Sequence, residues 1–500
     1  MYLREIAANP LSCLHFSMRL SQKTFIFGKA SSNSDFFVFA RFFIFSALLA
    51  SFFCLQSCQK KEEAAEISGD EDLSVADELE SQKSGAFEKY FSSLGMQEKI
   101  SQIFVLNLEG SEKFSFVEYT KDGEERKPLV PGGYIFFGFN IAETPEKIAA
   151  FTDSVRNFAR DRSCIEPFLC LDAEGGYVNR LRGIAGPLPE CERVAQCIDA
   201  ERAEMLYSLN AIQLKSLGFD LNLAPVAESL CAENEKFLDG RSFGAAKTAA
   251  VYSRAAIRAY QSNRVGAVAK HFPGNNDVDP HLSLPRIFYD AQEFHKNVIE
   301  PFSSVIKEKP SGILMSHALV ELQGEPLEDF HNADSSIPAS LNPFWIESIL
   351  RGKLGFGGIV FCDDIFMSAL EKNGFDQKRA VKSAILAGVN CILMSEKRFI
   401  NEYEIVKNLY LNDEEFHRRV EDSARRMIKF KIECGILKYD LTESGEMFLR
   451  QESGNSLGEK NIFEERMAQF YAARDDNVHL YEKYFLSTAS HEELRAVRID

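Results

Sequence analysis

One short turn of this chain crowds a cation, two imidazoles and several carboxylates together. Ala269-Lys270-His271-Phe272-Pro273-Gly274 follows an apolar run and leads, past Asp277, into Asp279-Pro280-His281-Leu282-Ser283-Leu284-Pro285. Proline and glycine shape such a turn. His281, two residues from Asp279, is an imidazole whose proton state a carboxylate can set, so it can give and then take a proton near neutral pH. A lone histidine is more often a polar core or surface residue; a His/Asp/Pro/Gly turn points to function. Asp363, in Cys362-Asp363-Asp364-Ile365, ends another apolar run, where a carboxylate must be solvated, paired or functional. It is a candidate nucleophile toward an electrophilic carbon, while Asp364 is the better candidate for capping the following helix. Asp172 precedes Glu174-Gly175-Gly176, a loop able to pass close over a ligand, with Arg180 a few residues on. Asp172 can accept hydrogen bonds from adjacent hydroxyls, although a plain capped loop explains this pattern equally well. Arg241, in Arg241-Ser242-Phe243-Gly244, reads by itself as a surface salt bridge sooner than as a ligand clamp.

These residues need elements to hold them. Eight short apolar runs, Ile103–Leu108, Tyr134–Phe137, Phe168–Leu171, Leu221–Ala224, Val265–Ala269, Gly312–Met315, Gly358–Phe361 and Val389–Met394, alternate with amphipathic helical stretches. In one of these, Ile148, Phe151, Val155 and Phe158 follow Thr144-Pro145, a cap and a first-turn proline. Alternating βα units imply parallel strands under helices, and eight of them favour an α/β fold, a single (β/α)8 TIM-type barrel, over an open doubly wound sheet. Asn140, Asp172, Glu174, Lys270, His271, Ser316, His317, Asp363, Asp364, Ser395 and Glu396 fall at or just past the ends of these runs, the end where such barrels build their sites. The barrel is expected over 89–436, with a helical or partly disordered extension over 437–500 that contains the helical stretch Phe463–Ala473.

The 500 residues carry a net charge of −17 and no Lys/Arg stripe, which argues against a nucleic-acid partner. Eleven cysteines without CxxC spacing suggest buried free thiols rather than a disulfide framework, and no metal ligand set is read. Near the start, Arg41 precedes the apolar run Phe42–Phe53, which closes on Leu55-Gln56-Ser57-Cys58 and turns polar at Gln59-Lys60-Lys61. The run is short for a bilayer span. The pattern, over 1–58, looks like a bacterial lipoprotein signal with Cys58 as the lipidated residue; an uncleaved anchor helix is the alternative. The acidic, Ser/Ala-rich stretch 59–88 reads as a flexible tether to a membrane of the cell envelope.

Taken jointly, Leu94-Gly95-Met96-Gln97-Glu98-Lys99-Ile100-Ser101-Gln102, Pro131-Gly132-Gly133-Tyr134-Ile135-Phe136-Phe137, Asp172-Ala173-Glu174-Gly175-Gly176, Phe219-Asp220-Leu221-Asn222-Leu223-Ala224-Pro225-Val226, Arg241-Ser242-Phe243-Gly244, Lys270-His271-Phe272-Pro273-Gly274 and Phe361-Cys362-Asp363-Asp364 resemble glycoside hydrolase family 3, in its bacterial β-N-acetylhexosaminidase branch. The resemblance covers most of 90–436. It implies Asp363 as nucleophile and His281 with Asp279 as an acid/base dyad. It also implies that Asp172, Arg180, Arg241, Lys270 and His271 hold the sugar, and that no cofactor is used. The implied reaction is retaining hydrolysis of terminal β-linked N-acetylglucosamine from peptidoglycan fragments or chitooligosaccharides, with transfer to phosphate as a variant. The chain departs from the family at Asn275-Asn276, at Pro280, and in a loop of only six residues between Gly274 and His281. Those departures motivate the alternative of an impaired, sugar-binding barrel. A β-glucoside-hydrolysing relative is a third reading, and the oligomeric state is not read.

Overall fold

The computed structural model describes residues 78–114, 128–278, 283–323, 334–366, 368–451 and 459–486. Cys58, Asp279 and His281 lie outside these residues. Of the amino-terminal unit Met1–Gln82, only 78–82 are described, as helix, and everything below concerns the second unit, Lys83–Asp500.

Eight parallel strands close on themselves: β1 Phe104–Asn107, β2 Gly133–Phe136, β3 Phe168–Leu171, β4 Leu221–Asn222, β5 Gly266–Phe272, β6 Gly312–Met315, β7 Ile359–Cys362 and β8 Cys391–Met394. Each strand pairs with its chain neighbours, and β1 closes the ring against β8, with Val105 opposite Leu393. All eight expected runs are therefore strands, with ends shifted by no more than three residues. They are legible because a strand covered on both faces is apolar throughout, as in Phe168-Leu169-Cys170-Leu171 and Ile359-Val360-Phe361-Cys362.

Period-two alternation splits each strand between two cores. Val105, Ile135, Phe168, Cys170, Val268, Leu314, Phe361, Cys391 and Leu393 fill the barrel. Phe104, Leu106, Phe136, Leu169, Ala267, Ile313, Val360 and Ile392 face the helices. Two glycines make room for the large interior rings. A Cβ on Gly133 would lie 2.5 Å from the Phe168 ring, and one on Gly312 would lie 2.5 Å from Phe361.

The surrounding helices include α1 Pro145–Asp161, α2 Ala200–Ser216, α3 Ala246–Ser262, α4 Gln377–Ala387, α5 Phe399–Asn412 and α6 Glu414–Glu433. Thr144 caps α1 by accepting from the Lys147 N–H, with Pro145 in the first turn, as the sequence pattern implies. Asp199 and Asp413 cap α2 and α6 in the same way. The end of α6 closes the barrel floor with Met427, Phe430 and Cys434.

The carboxy-terminal region contains an element that the sequence reading lacks. Leu437–Leu441 and Met447–Gln451 form an antiparallel hairpin, and Gln451 bonds the backbone ahead of β3 at Glu166 N (2.7 Å) and Cys164 O (2.9 Å). Helix α7, Glu459–Tyr481, then packs along α2. Its Arg466 reaches Ser216 O at 3.0 Å and the Asp153 carboxylate at 2.8 Å. All eight described cysteines are free thiols.

Candidate active site

A cavity of about 400 Å³ opens at the C-terminal ends of the strands. Its wall takes Asn107 from β1, Phe137 after β2, Asp172 and Glu174 after β3, Leu223 after β4 and Arg241 from the longer loop beyond. Lys270 and His271 come from β5, Leu314 from β6, Asp363 after β7 and Ser395 after β8. Asp172, Arg180, Arg241, Lys270, His271 and Asp363, the expected site residues that fall among the described residues, all line this one pocket. The Asp279–His281 dyad falls outside them.

The β5 edge explains how two consecutive side chains reach the same mouth. Lys270 pairs with Leu314 and Phe272 with Met315, so the register slips by one residue between them. Such a bulge re-aims a side chain that regular alternation would turn away.

Lys270 is the hub of a charge cluster. Its Nζ lies 2.7 Å from Asp172 Oδ1 and 2.6 Å from Glu174 Oε1. Arg241 grips Glu174 with two bonds, Nε to Oε2 at 2.7 Å and Nη2 to Oε1 at 2.8 Å, and Arg180 Nη2 reaches Asp172 Oδ2 at 3.2 Å. Three cations thus surround two carboxylates. Burial raises the Glu174 pKa, but Lys270 and Arg241 outweigh it and the carboxyl falls to about 2. Burial and Lys270 oppose each other in the same way at Asp172, whose pKa is lowered. Burial pulls Lys270 down, yet Asp172 and Glu174 hold it above its ordinary value. All three groups are therefore ionised at neutral pH, and an ammonium with three N–H groups retains a donor for a ligand hydroxyl. Arg241 forms the salt bridge its sequence suggests, but a largely buried one inside the pocket rather than one on the surface.

His271 is set by a partner that the sequence reading passes over. Its Nδ1 lies 2.6 Å from Glu228 Oε1. Asn275 clamps that carboxylate in turn, backbone N to Oε2 at 2.7 Å and Nδ2 to Oε1 at 3.3 Å. Phe237 meets the imidazole edge-on, ring centres 6.2 Å apart. With Nδ1 engaged, Nε2 is the nitrogen left for a ligand. The signal for Glu228 in the sequence is its place four residues past the apolar run Leu221–Ala224.

Asp363 sits directly after β7 and is half-buried. Its Oδ1 accepts from the Asp364 N–H at 2.9 Å. Asp364 Oδ1 accepts from Phe366 N at 3.0 Å, within the turn ahead of the helix Ser368–Lys372. Asp364 also offers its carbonyl to His317 Nε2 at 3.3 Å, and His317 Nδ1 meets Ser340 Oγ at 2.6 Å. Burial holds the His317 pKa below its ordinary value. This imidazole braces the backbone beside Asp363, a role its position just past β6 did not reveal. The geometry offers a carboxylate and a paired charge cluster on the wall of one pocket. That set suits attack on a carbon of a polyhydroxylated ligand.

The loop after β5 leaves the pocket rim from tied ends. Asn276 Nδ2 donates to Arg286 O at 2.7 Å, and Asp277 accepts from the Lys236 and Phe237 N–H groups at 2.9 and 3.1 Å.

Comparison with known proteins agrees with this fold. The model of the glycosyl hydrolase family 3 N-terminal domain matches residues 96–430. A β-hexosaminidase from Pseudomonas aeruginosa is 30% identical over 277 residues, covering 55% of this chain and 77% of that protein. One from Alkalilimnicola ehrlichii is 29% identical over 291 residues, covering 56% and 78%. Among solved structures, a family 3 β-N-acetylglucosaminidase from a Paenibacillus species superposes with a TM-score of 0.57 at 23% identity, over 76% of this chain and 69% of that one. A β-N-acetylhexosaminidase from Beutenbergia cavernae gives 0.56 at 21% identity, over 68% and 99%.

Proposed function

The chain belongs to glycosyl hydrolase family 3 and is a glycoside hydrolase, and on that premise we propose that it removes terminal β-linked N-acetylglucosamine from peptidoglycan fragments or chitooligosaccharides. The observation that carries the reading is a single pocket lined by Asp363 together with Asp172, Lys270, Arg241 and His271. The curated relatives bear the name β-hexosaminidase, which supports an N-acetylhexosamine as the sugar.

In this mechanism the ionised cluster holds the sugar hydroxyls. Asp363 attacks the anomeric carbon while His281, oriented by Asp279, protonates the departing oxygen. The C–O bond to the leaving group breaks as the bond to the Asp363 carboxylate forms. His281 then takes a proton from water as that water attacks the same carbon, releasing Asp363 and giving net retention. No group outside the chain and water is required. The Arg41–Cys58 pattern further supports a lipid-anchored protein of the cell envelope.

Wild-type protein should release nitrophenol from 4-nitrophenyl N-acetyl-β-glucosaminide between pH 5 and 8, with phosphate assayed alongside as an alternative acceptor. Asp363→Asn should lose at least about a thousandfold in kcat/KM. Turnover equal in both proteins would show that the activity belongs to something else. Lipidation is tested by palmitate incorporation that Cys58→Ser abolishes.

A further inference from the structure

Building on the hydrolase reading, we propose that helix α7, which follows the matched family domain 96–430, helps to hold the sugar: Asn477, seated against Gly186, positions the loop that carries Arg180 and backs Glu174.

The loop joins the two carboxylates of the charge cluster. At its start, Arg180 lines the active-site pocket, bonds Asp172 Oδ2, and donates its backbone N–H to Asp172 O at 3.0 Å. Leu181 is fully buried, and its carbonyl accepts from Ile184 N and Ala185 N at 3.0 and 2.9 Å, which folds the chain into a tight turn. At the far end, Leu188 O accepts from Gly176 N at 2.9 Å, and a Cβ on Gly175 would come within 2.1 Å of Pro189 O. Glu174, the partner of Lys270 and Arg241, directly precedes those glycines. A shift of residues 181–189 therefore reaches Asp172 through Arg180 and Glu174 through Gly175-Gly176.

The middle of the loop rests on α7. A Cβ on Gly186 would lie 2.5 Å from Asn477 Oδ1, 2.7 Å from its Cγ and 2.9 Å from its Cβ, well inside packing distance. Gly186 is not one of the glycines with positive φ, so contact with α7, not backbone conformation, excludes a side chain there. Asn477 is fully buried, and its carboxamide has no hydrogen-bond partner among the described residues; it meets the loop as a packed surface. The helix is tied on both sides of that contact. Arg466 reaches Ser216 O and Asp153, and Phe485 O, just beyond the helix, accepts from Arg193 Nη2 at 3.1 Å. Gly186 N donates to Gln213 Oε1 on α2 at 2.7 Å, which fixes the loop between α2 and α7.

The test reads KM on 4-nitrophenyl N-acetyl-β-glucosaminide, because hydroxyl contacts that are equal before and during the reaction set KM and spare kcat. Partial misfolding does the reverse: fewer active molecules lower the apparent kcat and leave KM unchanged. Gly186→Ala drives a methyl into Asn477 and should raise KM about tenfold with kcat within about threefold; adding Asn477→Gly should return KM to within about twofold of wild type. Asn477→Ala creates no collision and keeps the fold, and by removing the surface behind Gly186 it should raise KM about threefold. An unchanged KM in Asn477→Ala, or a Gly186→Ala defect that Asn477→Gly leaves in place, would overturn the positioning role and leave the hydrolase reading standing. A wild-type protein inert toward the glycoside would overturn both.

Discussion

Lysines are buried at the two ends of this barrel, in opposite surroundings. Lys270, at the mouth, is 3% exposed and sits between two carboxylates. Lys431, at the floor, is fully buried and donates only to neutral oxygens, Gln102 Oε1 at 2.6 Å and Glu166 O at 2.7 Å. Burial lowers both amines; at the mouth the carboxylates reverse the effect and raise Lys270, while at the floor Lys431 is left at about 7. The carboxylates nearest the floor are already engaged: Glu166 by Arg160, and Asp220 by Arg156 and Lys215. Charge at the mouth is thus arranged to stay ionised and meet a ligand, and charge at the floor is consumed in joining α1, β3, β4 and α6. Cavity size misleads on this point. A cavity of about 980 Å³, larger than the one at the mouth, lies at the floor among Arg156, Arg160, Glu166 and Asp220, whose charges already pair with one another.

The sharpest way to break the comparison is to remove each lysine. Lys270→Met leaves Asp172 without its closest cation and Glu174 with Arg241 alone. We expect a loss of roughly 3–5 kcal/mol in denaturant unfolding and the loss of measurable turnover. Glu228→Gln keeps the hydrogen bond to His271 but sets an NH2 against the buried Asn275 N–H, and should lower kcat/KM about tenfold and cost roughly 1–3 kcal/mol in unfolding. Lys431→Met should keep turnover within about twofold and change stability at pH 7 by no more than about 1 kcal/mol, in either direction. Equal losses in the two lysine variants would erase the distinction between mouth and floor.

The same floor lysine gives a pH slope. Lys431 titrates near 7 in the folded chain and near 10.4 when unfolded, so between those values the unfolded chain binds one more proton. Stability from this group therefore climbs as pH rises from about 7 to about 10, and below about 7 the full penalty remains. Over the same window Lys270, whose pKa is raised, still makes its full contribution, and Glu174, at about 2, gives up its share only as pH falls toward that value. Burial also raises the Cys170 and Cys391 thiols, which costs stability at high pH in any variant. The measurement is therefore the difference between wild type and Lys431→Met in urea unfolding at several pH values. A difference that stays flat from pH 7 to 10 would contradict a neutral amine at the floor.

The mouth was more legible in the sequence than the floor. Strands covered on both faces leave continuous apolar runs, and a charged residue at the end of such a run stands out, as Asp172, Lys270 and Asp363 do. Glu228 was hidden because the chain continues past β4 through Leu223-Ala224-Pro225-Val226-Ala227 before reaching it. His317 gave no sign of bracing the Asp363 turn, since its partners Ser340 and Asp364 lie 23 and 47 residues away. The floor is built from pairs still farther apart, such as Lys431 with Gln102 across 329 residues, and no local pattern reports them. The hairpin over Leu437–Gln451 carried a readable turn, Thr442-Glu443-Ser444-Gly445, but its strands mix charged and apolar residues and so resemble a tail.

The central claim is that Asp363 bonds to the sugar held by the Lys270 cluster. Trapping with a 2-acetamido-5-fluoro glycosyl fluoride, followed by digestion and peptide mapping, tests it most directly. The account predicts one equivalent of label on Asp363, with turnover lost in parallel. Label on another carboxylate, or a protein that turns over substrate yet forms no covalent adduct, would contradict it.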